Sequence, residues 1–282
     1  MLDIYTNQLR KKWLGWTVVS FVTGAFSLLM VALWPSFEPF LPMFEEMMQM
    51  PIMSAILGES MGFTSVEGLL TMELYILSDI FYMGLILLFG VQCITREVDS
   101  GSLDFVMSFP VSRKRFLLEK LFAFITVSAS FPILTAGGAV LGAIIIPGIE
   151  FHPRGLPAYF LGLLSRWVLY LTLTCIVVLI SVIFMDTGKT LGFGGLLLGG
   201  SFLLDIIAGF VKVADKDIGE IIQYSSLYYY LDGLAITNGI INDGYGAFPL
   251  GEFIFVIAIG VLAVLITLFI FDNPIRQKRE FK

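Results

Sequence analysis

The chain has 282 residues, 57% hydrophobic and only 14% charged, with a mean hydropathy of +0.89 and a formal net charge of −6. A soluble domain carries about a quarter charged residues, so the composition excludes an ordinary soluble enzyme, and the length holds several membrane spans with no room for a separate soluble domain. A single histidine, His152, cannot build a metal site alone. The two cysteines, Cys93 and Cys175, fall in apolar runs and are expected to be small core residues rather than a disulfide.

Arg10, Lys11 and Lys12 precede the first apolar run, at about 16–34. The run is too long for a signal-peptide core and no small-x-small cleavage site follows, so it reads as an uncleaved first span. Trp13, Trp16 and Trp34 fit anchors at the two membrane interfaces. Residues 40–58 place Met43, Met47, Met50, Ile52 and Ile56 at helical spacing among Glu45, Glu46 and Gln49. This pattern predicts an amphipathic helix on the outer membrane surface, broken at Pro51. The thioethers of Met43, Met47, Met48, Met50 and Met53 suit cuprous copper, but methionine is more often an adaptable apolar filler, and no metal site is assigned.

The second span, about 72–94, contains Asp79, set two turns from its outer end. The loop that follows gathers Arg96, Glu97, Asp99, Arg113, Lys114, Arg115 and Lys120 around a short apolar stretch. Asp99 or Ser100 can cap a helix over about 99–109. Leu103, Val106 and Met107 share one face, Phe105 and Phe109 another, and Pro110 ends it. A helix this short and this apolar is marginal alone and has the profile of a docking element for a soluble partner.

Ser112 can cap the third span, about 116–147, in which Pro132 removes a helix hydrogen bond and predicts a kink. The fourth span, about 157–185, contains Arg166. Asp186-Thr187-Gly188-Lys189-Thr190 ends like a phosphate-binding loop, but Ile183 stands where the first glycine belongs, so a tight turn is expected instead. The fifth span, about 191–211, contains Asp205. Gly188/Gly192 and Gly195/Gly199 line this span and Gly138/Gly142 the third, spacings that suit packing within one chain or between two. Residues 217–241, with the Tyr228-Tyr229-Tyr230 run, predict a helical hairpin dipping into the membrane from outside, its tyrosines at headgroup level. The sixth span covers about 250–271. The fold class is therefore all-α: one polytopic membrane domain over 1–282, with six spans.

With six spans, the N-terminal segment, the 96–120 loop, Lys189 and the tail residues Arg276, Lys278, Arg279 and Lys282 share one side. The other side has only Arg154, Lys212 and Lys216 among many acids. The positive-inside rule then puts both termini in the cytoplasm of a cell-membrane protein. Ionisable groups inside spans are functional candidates because their desolvation is costly. Asp79, Arg166 and Asp205 qualify, and Asp79 with Arg166 forms a possible pair.

Glu97-x-x-x-Gly101-Ser102-Leu103, then Pro110-Val111-Ser112-Arg113 and Lys120, lie between spans 2 and 3 of a six-span chain. In this the chain resembles the permease subunit of an ATP-binding-cassette exporter of the second permease type. The family usually has Gly-Thr where this chain has Gly101-Ser102, and serine keeps the hydroxyl. The acidic segment before span 2 and the tyrosine-rich segment before span 6 extend the likeness over most of the chain.

The resemblance implies a coupling helix that inserts into a cleft of a separate ATPase subunit. Glu97, Asp99, Gly101, Ser102, Leu103, Phe105, Val106, Pro110 and Arg113 would form the docking element. It also implies a second permease copy, identical or homologous, with ATP and magnesium held by the ATPase and no cofactor on this chain. Membrane lipids are the other expected partner, nucleic acid is not, and no catalytic residue is assigned. Two readings of other classes stand beside it. An intramembrane enzyme would need converging catalytic groups, which the single histidine and scattered acids do not supply. An ion channel or carrier would work without an ATPase, and carriers commonly carry internal repeats; no convincing repeat joins the two halves.

Overall fold

The computed structural model of the protein describes residues 3–48, 65–101, 103 and 112–272, and the regular structure among them is entirely helical. In chain order the long helices are α1 (Asp3–Phe37), α3 (Val66–Cys93), α5 (Arg113–Ser128) continued by α6 (Ser130–Ile145), α7 (Gly155–Phe184), α8 (Thr187–Ala214) and α12 (Leu250–Phe271). The shorter ones are α2 (Leu41–Met48), α4 (Thr95–Asp99), α9 (Lys216–Tyr224), α10 (Leu227–Tyr230) and α11 (Gly233–Asp243). Side-chain oxygens start many of them: Ser65, Ser112, Asp186, Asp215, Ser226 and Asp232 each accept from a backbone N–H of the following turn.

Among the described residues five helical stretches are long and apolar enough to cross a membrane: those of α1, α5–α6, α7, α8 and α12. Their outward faces stay greasy, with Leu196 72% and Phe269 74% exposed. In water such surfaces would associate; in lipid they are the expected solvent-facing side, and a helix satisfies its own backbone there. The protein is a multi-pass helical membrane protein. α3 runs the length of the same bundle. Near its start Glu67 Oε1 accepts from the His152 N–H (2.6 Å), and just past its end Glu97 meets Lys120.

The kink predicted in the third span is a break. Helix α5 stops at Ser128 and α6 restarts at Ser130. Pro132 has no N–H to give the Ser128 carbonyl, so the ladder fails there.

Helix α1 lies along α6 and crosses it backbone to backbone. A Cβ added to Gly138 would run into the Gly24 carbonyl oxygen, and one added to Gly142 into Val31. The Gly138/Gly142 spacing therefore serves packing within the chain. On α8, Gly192 and Gly199 meet nothing within 4 Å. A polar seam runs beside the close crossing. Ser20 Oγ is 2.9 Å from both Tyr82 Oη and Ser130 Oγ, Thr23 Oγ1 is 2.8 Å from Thr135 Oγ1, and Ser27 Oγ is 3.0 Å from Tyr159 Oη. Ser20, Thr23 and Ser27 recur at helical spacing and are fully buried. Each such bond contributes about 0.6 kcal/mol in a membrane protein, so the seam sets orientation more than it adds stability. Trp16 and Trp34 belong to this interior, and only Trp13 (53% exposed) is free to act as an interface anchor.

After α8 the chain doubles back. Gly219 of α9 sits against the backbone of Lys212, and at the bottom of α9 Ser226 Oγ donates to the Ser201 carbonyl (2.9 Å) halfway down α8. The chain then returns through α10 and α11, the latter wedged between α3 and α7. Tyr228 is consequently buried inside the bundle rather than placed at a surface. Of the outer segment 40–58, α2 is helical and Met43 exposed, while residues 49–64 lie outside the described residues.

Residues near both ends of the described chain meet α5. The Tyr5 N–H donates to Glu119 (3.3 Å) and Lys114 pairs with Asp272 (2.8 Å), both through α5. Gly138→Ala is expected to destabilise the protein by about 1–3 kcal/mol, read as a lower Tm in detergent, whereas Gly192→Ala should leave Tm unchanged.

Candidate functional site

Asp79 and Arg166, the possible pair of the sequence, are brought together. The Arg166 Nε donates to Asp79 Oδ1 (3.0 Å) and its Nη2 to Oδ2 (2.5 Å), a two-pronged pairing. Tyr170 Oη also donates to Oδ1 (2.7 Å), and Ser78 Oγ lies 3.0 Å from Tyr170 Oη. All four side chains are buried. Because α3 starts at Val66 rather than near 72, Asp79 sits ~20 Å along it, deeper than two turns. Arg166 is ~17 Å along α7.

The remaining guanidinium nitrogen explains why a cation stands here. Nη1 donates to the carbonyls of Tyr228 (3.4 Å) and Leu231 (3.2 Å), at the end of the one-turn helix α10. The last carbonyls of a helix have no partner within it, and at this depth no bulk water supplies one. The guanidinium also lies 5.3 Å from the centre of the Tyr228 ring. One side chain thus joins α3, α7 and the inserted hairpin. Aromatic rings extend the same cluster sideways: Tyr82 stacks on Tyr170 at 5.1 Å and meets Trp16 and Phe131.

Asp205, the third intramembrane candidate, does not join the pair. It is half-buried on α8, and its Oδ1 has no hydrogen-bond partner among the described residues. The Tyr228 hydroxyl is likewise buried without one.

The loop between α3 and α5 lies at the end of the bundle where Tyr5 and Asp272 also meet α5. Glu97 pairs with Lys120 (2.6 Å), and Lys120, 1% exposed, also donates to the Cys93 carbonyl (2.6 Å) and lies over the Phe116 ring. This pairing was hidden in the sequence because both residues read as parts of one exposed motif. Asp99 ends α4 and Ser100 caps its C-terminus, where the sequence pattern suggested the start of a helix. Gly101 takes the left-handed conformation (φ 67°) that closes α4, a role that favours glycine.

Asp99, Ser100 and Gly101 are exposed, as are Ser112, Lys114 and Arg115. Leu103 is helical and 4% exposed, covered by its own chain. Arg113 is half-buried, its guanidinium 5.4 Å from the Phe271 ring centre. Ser102, Phe105, Val106 and Pro110 lie outside the described residues. Asp186 caps α8 (Lys189 N–H to Oδ1, 2.7 Å), so Thr187–Thr190 form the first turn of that helix rather than the tight turn expected between the spans, and Thr187 joins the loop through Thr95 (3.5 Å).

Cys93 is buried and Cys175 half-buried, both as free thiols. No group of three or more His, Cys, Asp or Glu side chains suited to a metal occurs among the described residues. Two features escaped sequence reasoning. The Ser20/Thr23/Ser27 seam was legible as a helical period of hydroxyls, and Glu67, buried against His152 and Gly155, carried no signal. No protein-family model matches the chain, and no curated protein matches it.

Removing Asp79 strands a buried cation, which costs about 3–5 kcal/mol. Asp79→Ala is expected to lose that much stability in a denaturation assay. Arg166→Met should in addition release the hairpin, so that hydrogen exchange across Ser226–Asp232 speeds up more in Arg166→Met than in Asp79→Asn.

Proposed function

We propose that the chain is the permease subunit of an ATP-driven exporter of the second ATP-binding-cassette type. Six spans cross the cell membrane, α3 being the sixth beside the five long apolar stretches, and both termini are cytoplasmic. Arg10, Lys11, Lys12, Arg96, Arg113–Arg115 and Lys120 mark that side by the positive-inside rule. A second copy, identical or homologous, completes the transport pathway, and a separate ATPase binds ATP and magnesium.

One observation carries the docking assignment: the exposed turn Asp99–Gly101 is clamped to the bundle by Glu97–Lys120. A motor that moves this turn moves α4, the end of α3 and the start of α5 together, because Lys120 ties Glu97 and Cys93 to α5. Thr95–Thr187 passes the same displacement to α8. Rocking of these helices between two states would expose the pathway alternately. Within the motif the residues divide in role: Asp99, Ser100 and Gly101 meet the ATPase, while Glu97 and Leu103 hold the element to its own chain.

Co-expression with the candidate ATPase tests this. Gly101→Pro forces φ to about −65° and so rebuilds the turn, and Asp99→Arg reverses its charge. Each should cut recovery of the ATPase by at least about tenfold while permease yield and monodispersity hold, and Arg154→Glu at the opposite end should have no effect. Full recovery with both loop variants would sink the docking assignment.

A second reading, a carrier or channel working without an ATPase, is favoured by the hairpin of α9–α11. Its broken backbone halfway down α8 is a device carriers use. Ion flux into vesicles holding the permease alone would select this reading.

A further inference from the structure

The Asp79–Arg166 network leaves one intramembrane acid unused. Asp205 lies ~27 Å along α8 and ~14 Å short of its far end, within the stretch of that helix long and apolar enough to cross a membrane. Its Oδ1 is buried and accepts no hydrogen bond, and the carboxylate pairs with no lysine or arginine among the described residues. Arg166 is already committed to both oxygens of Asp79 and to the carbonyls of Tyr228 and Leu231.

The hairpin brings two further unmet polar groups to the same region. Two contacts set the register of α9 against α8: Gly219 against Lys212, and Ser226 against Ser201. Between them Asp205 falls at the level of residues 223–224. The Gln223 Oε1 is buried without a partner. So is the hydroxyl of Tyr228, a residue 1% exposed whose ring meets Phe202, one turn before Asp205 on α8. An ionised carboxylate and an amide oxygen only accept hydrogen bonds, so acceptors here exceed donors. One added proton changes that count. A protonated Asp205 is a donor, the Gln223 oxygen at its level is an acceptor in need of one, and no unpaired charge remains within the span.

The surroundings supply no counter-ion. Asp79 from α3 and Arg166 from α7 neutralise each other. Asp232 stands at the start of α11, Tyr228 on α10, and Glu220 and Tyr224 on α9, while Lys212 of α8 lies two turns on, ~10 Å away. Acids therefore outnumber bases around Asp205. We propose that Asp205 is a proton-binding site that couples the seating of the hairpin to pH, protonated while the hairpin is seated and ionised when it lifts and admits water. The proton passes between bulk water at the nearer end of α8 and one carboxylate oxygen, and no other bond is made or broken. Because the seated state holds the extra proton, its stability is full at low pH and is lost as pH rises. The inference needs only that α8 be in a membrane and is independent of the exporter assignment.

Infrared difference spectroscopy on the full-length protein in nanodiscs reads the proton directly. Wild type should show a protonated-carboxyl band at about pH 6, where free aspartate is ionised, and lose it on titration to about pH 9. Asp205→Asn should lack that band and Asp79→Asn should keep it. Hydrogen exchange across residues 216–232, corrected for the intrinsic rate, reads the coupling. In wild type, opening should rise with pH by up to about tenfold per unit. In Asp205→Asn, a neutral mimic, it should stay at the low-pH level throughout. The wild-type titration decides the protonation even if that variant folds poorly. The inference is overturned if wild type shows no such band at about pH 6, if the band survives in Asp205→Asn, or if Asp205→Asn keeps the pH dependence of exchange. Loss of the band on adding sodium at constant pH would identify a metal cation as the ligand and overturn the proton assignment.

Discussion

A broken stretch of backbone inside a membrane bundle must find hydrogen-bond partners without bulk water, and the centre of this protein follows from that requirement. The turn around Tyr228–Leu231 presents carbonyls at roughly the depth where a helix would have hidden them. Arg166 meets them, and a lone guanidinium at that depth would be prohibitive. Asp79 neutralises it with two parallel bonds, and Tyr170 occupies a further acceptor site on the carboxylate. The pair is therefore the means by which α3 and α7 hold an otherwise unstable hairpin. A buried ion pair is weak evidence of stability taken alone; here its worth lies in the backbone groups it satisfies.

A second ionic cluster, at the basic end of α3, has a different character. Glu97, Lys120 and the Cys93 carbonyl form a joint between three short pieces of chain rather than a seam between long helices. Lys120 is even less accessible than Arg166, yet its partner Glu97 remains partly exposed. This is how a loop can offer a surface to another protein and still move with the bundle. The same α3 thus carries a rigid clamp in its middle and a mechanical joint at its end. The proposed motor would act on the joint.

Between the two clusters, association of the helices relies on small residues and hydroxyls. Lipid offers no hydrophobic incentive for leucines to leave it, so specificity comes from close approach and hydrogen bonds. Gly24 and Gly138 bring α1 and α6 into backbone contact, and Ser20, Thr23 and Ser27 find partners on three neighbouring elements. The exposed apolar side chains of α8 and α12 are left for lipid or another chain.

Much of the architecture was legible from composition and period, because lipid punishes polar surface and unpaired backbone over whole segments. Apolar run lengths located the long helices, Pro132 marked the break between α5 and α6, Ser112 marked a helix start, and the pattern of 217–241 announced a hairpin. Residue-level roles in the loop were less legible: Gly101 closes α4, Asp99 ends it, and Leu103 turns inward, since a short apolar helix can bury itself against its own chain as readily as against a partner. Only tertiary structure decided that Asp79 meets Arg166, that Lys120 claims Glu97, that Tyr228 enters the bundle, and that Trp16 and Trp34 point inward. Each of these depends on which helices are neighbours and at what rotation. A one-dimensional pattern specifies how hydrophobic a helix face is, whereas pairing is set by the packing of small residues that brings distant faces together.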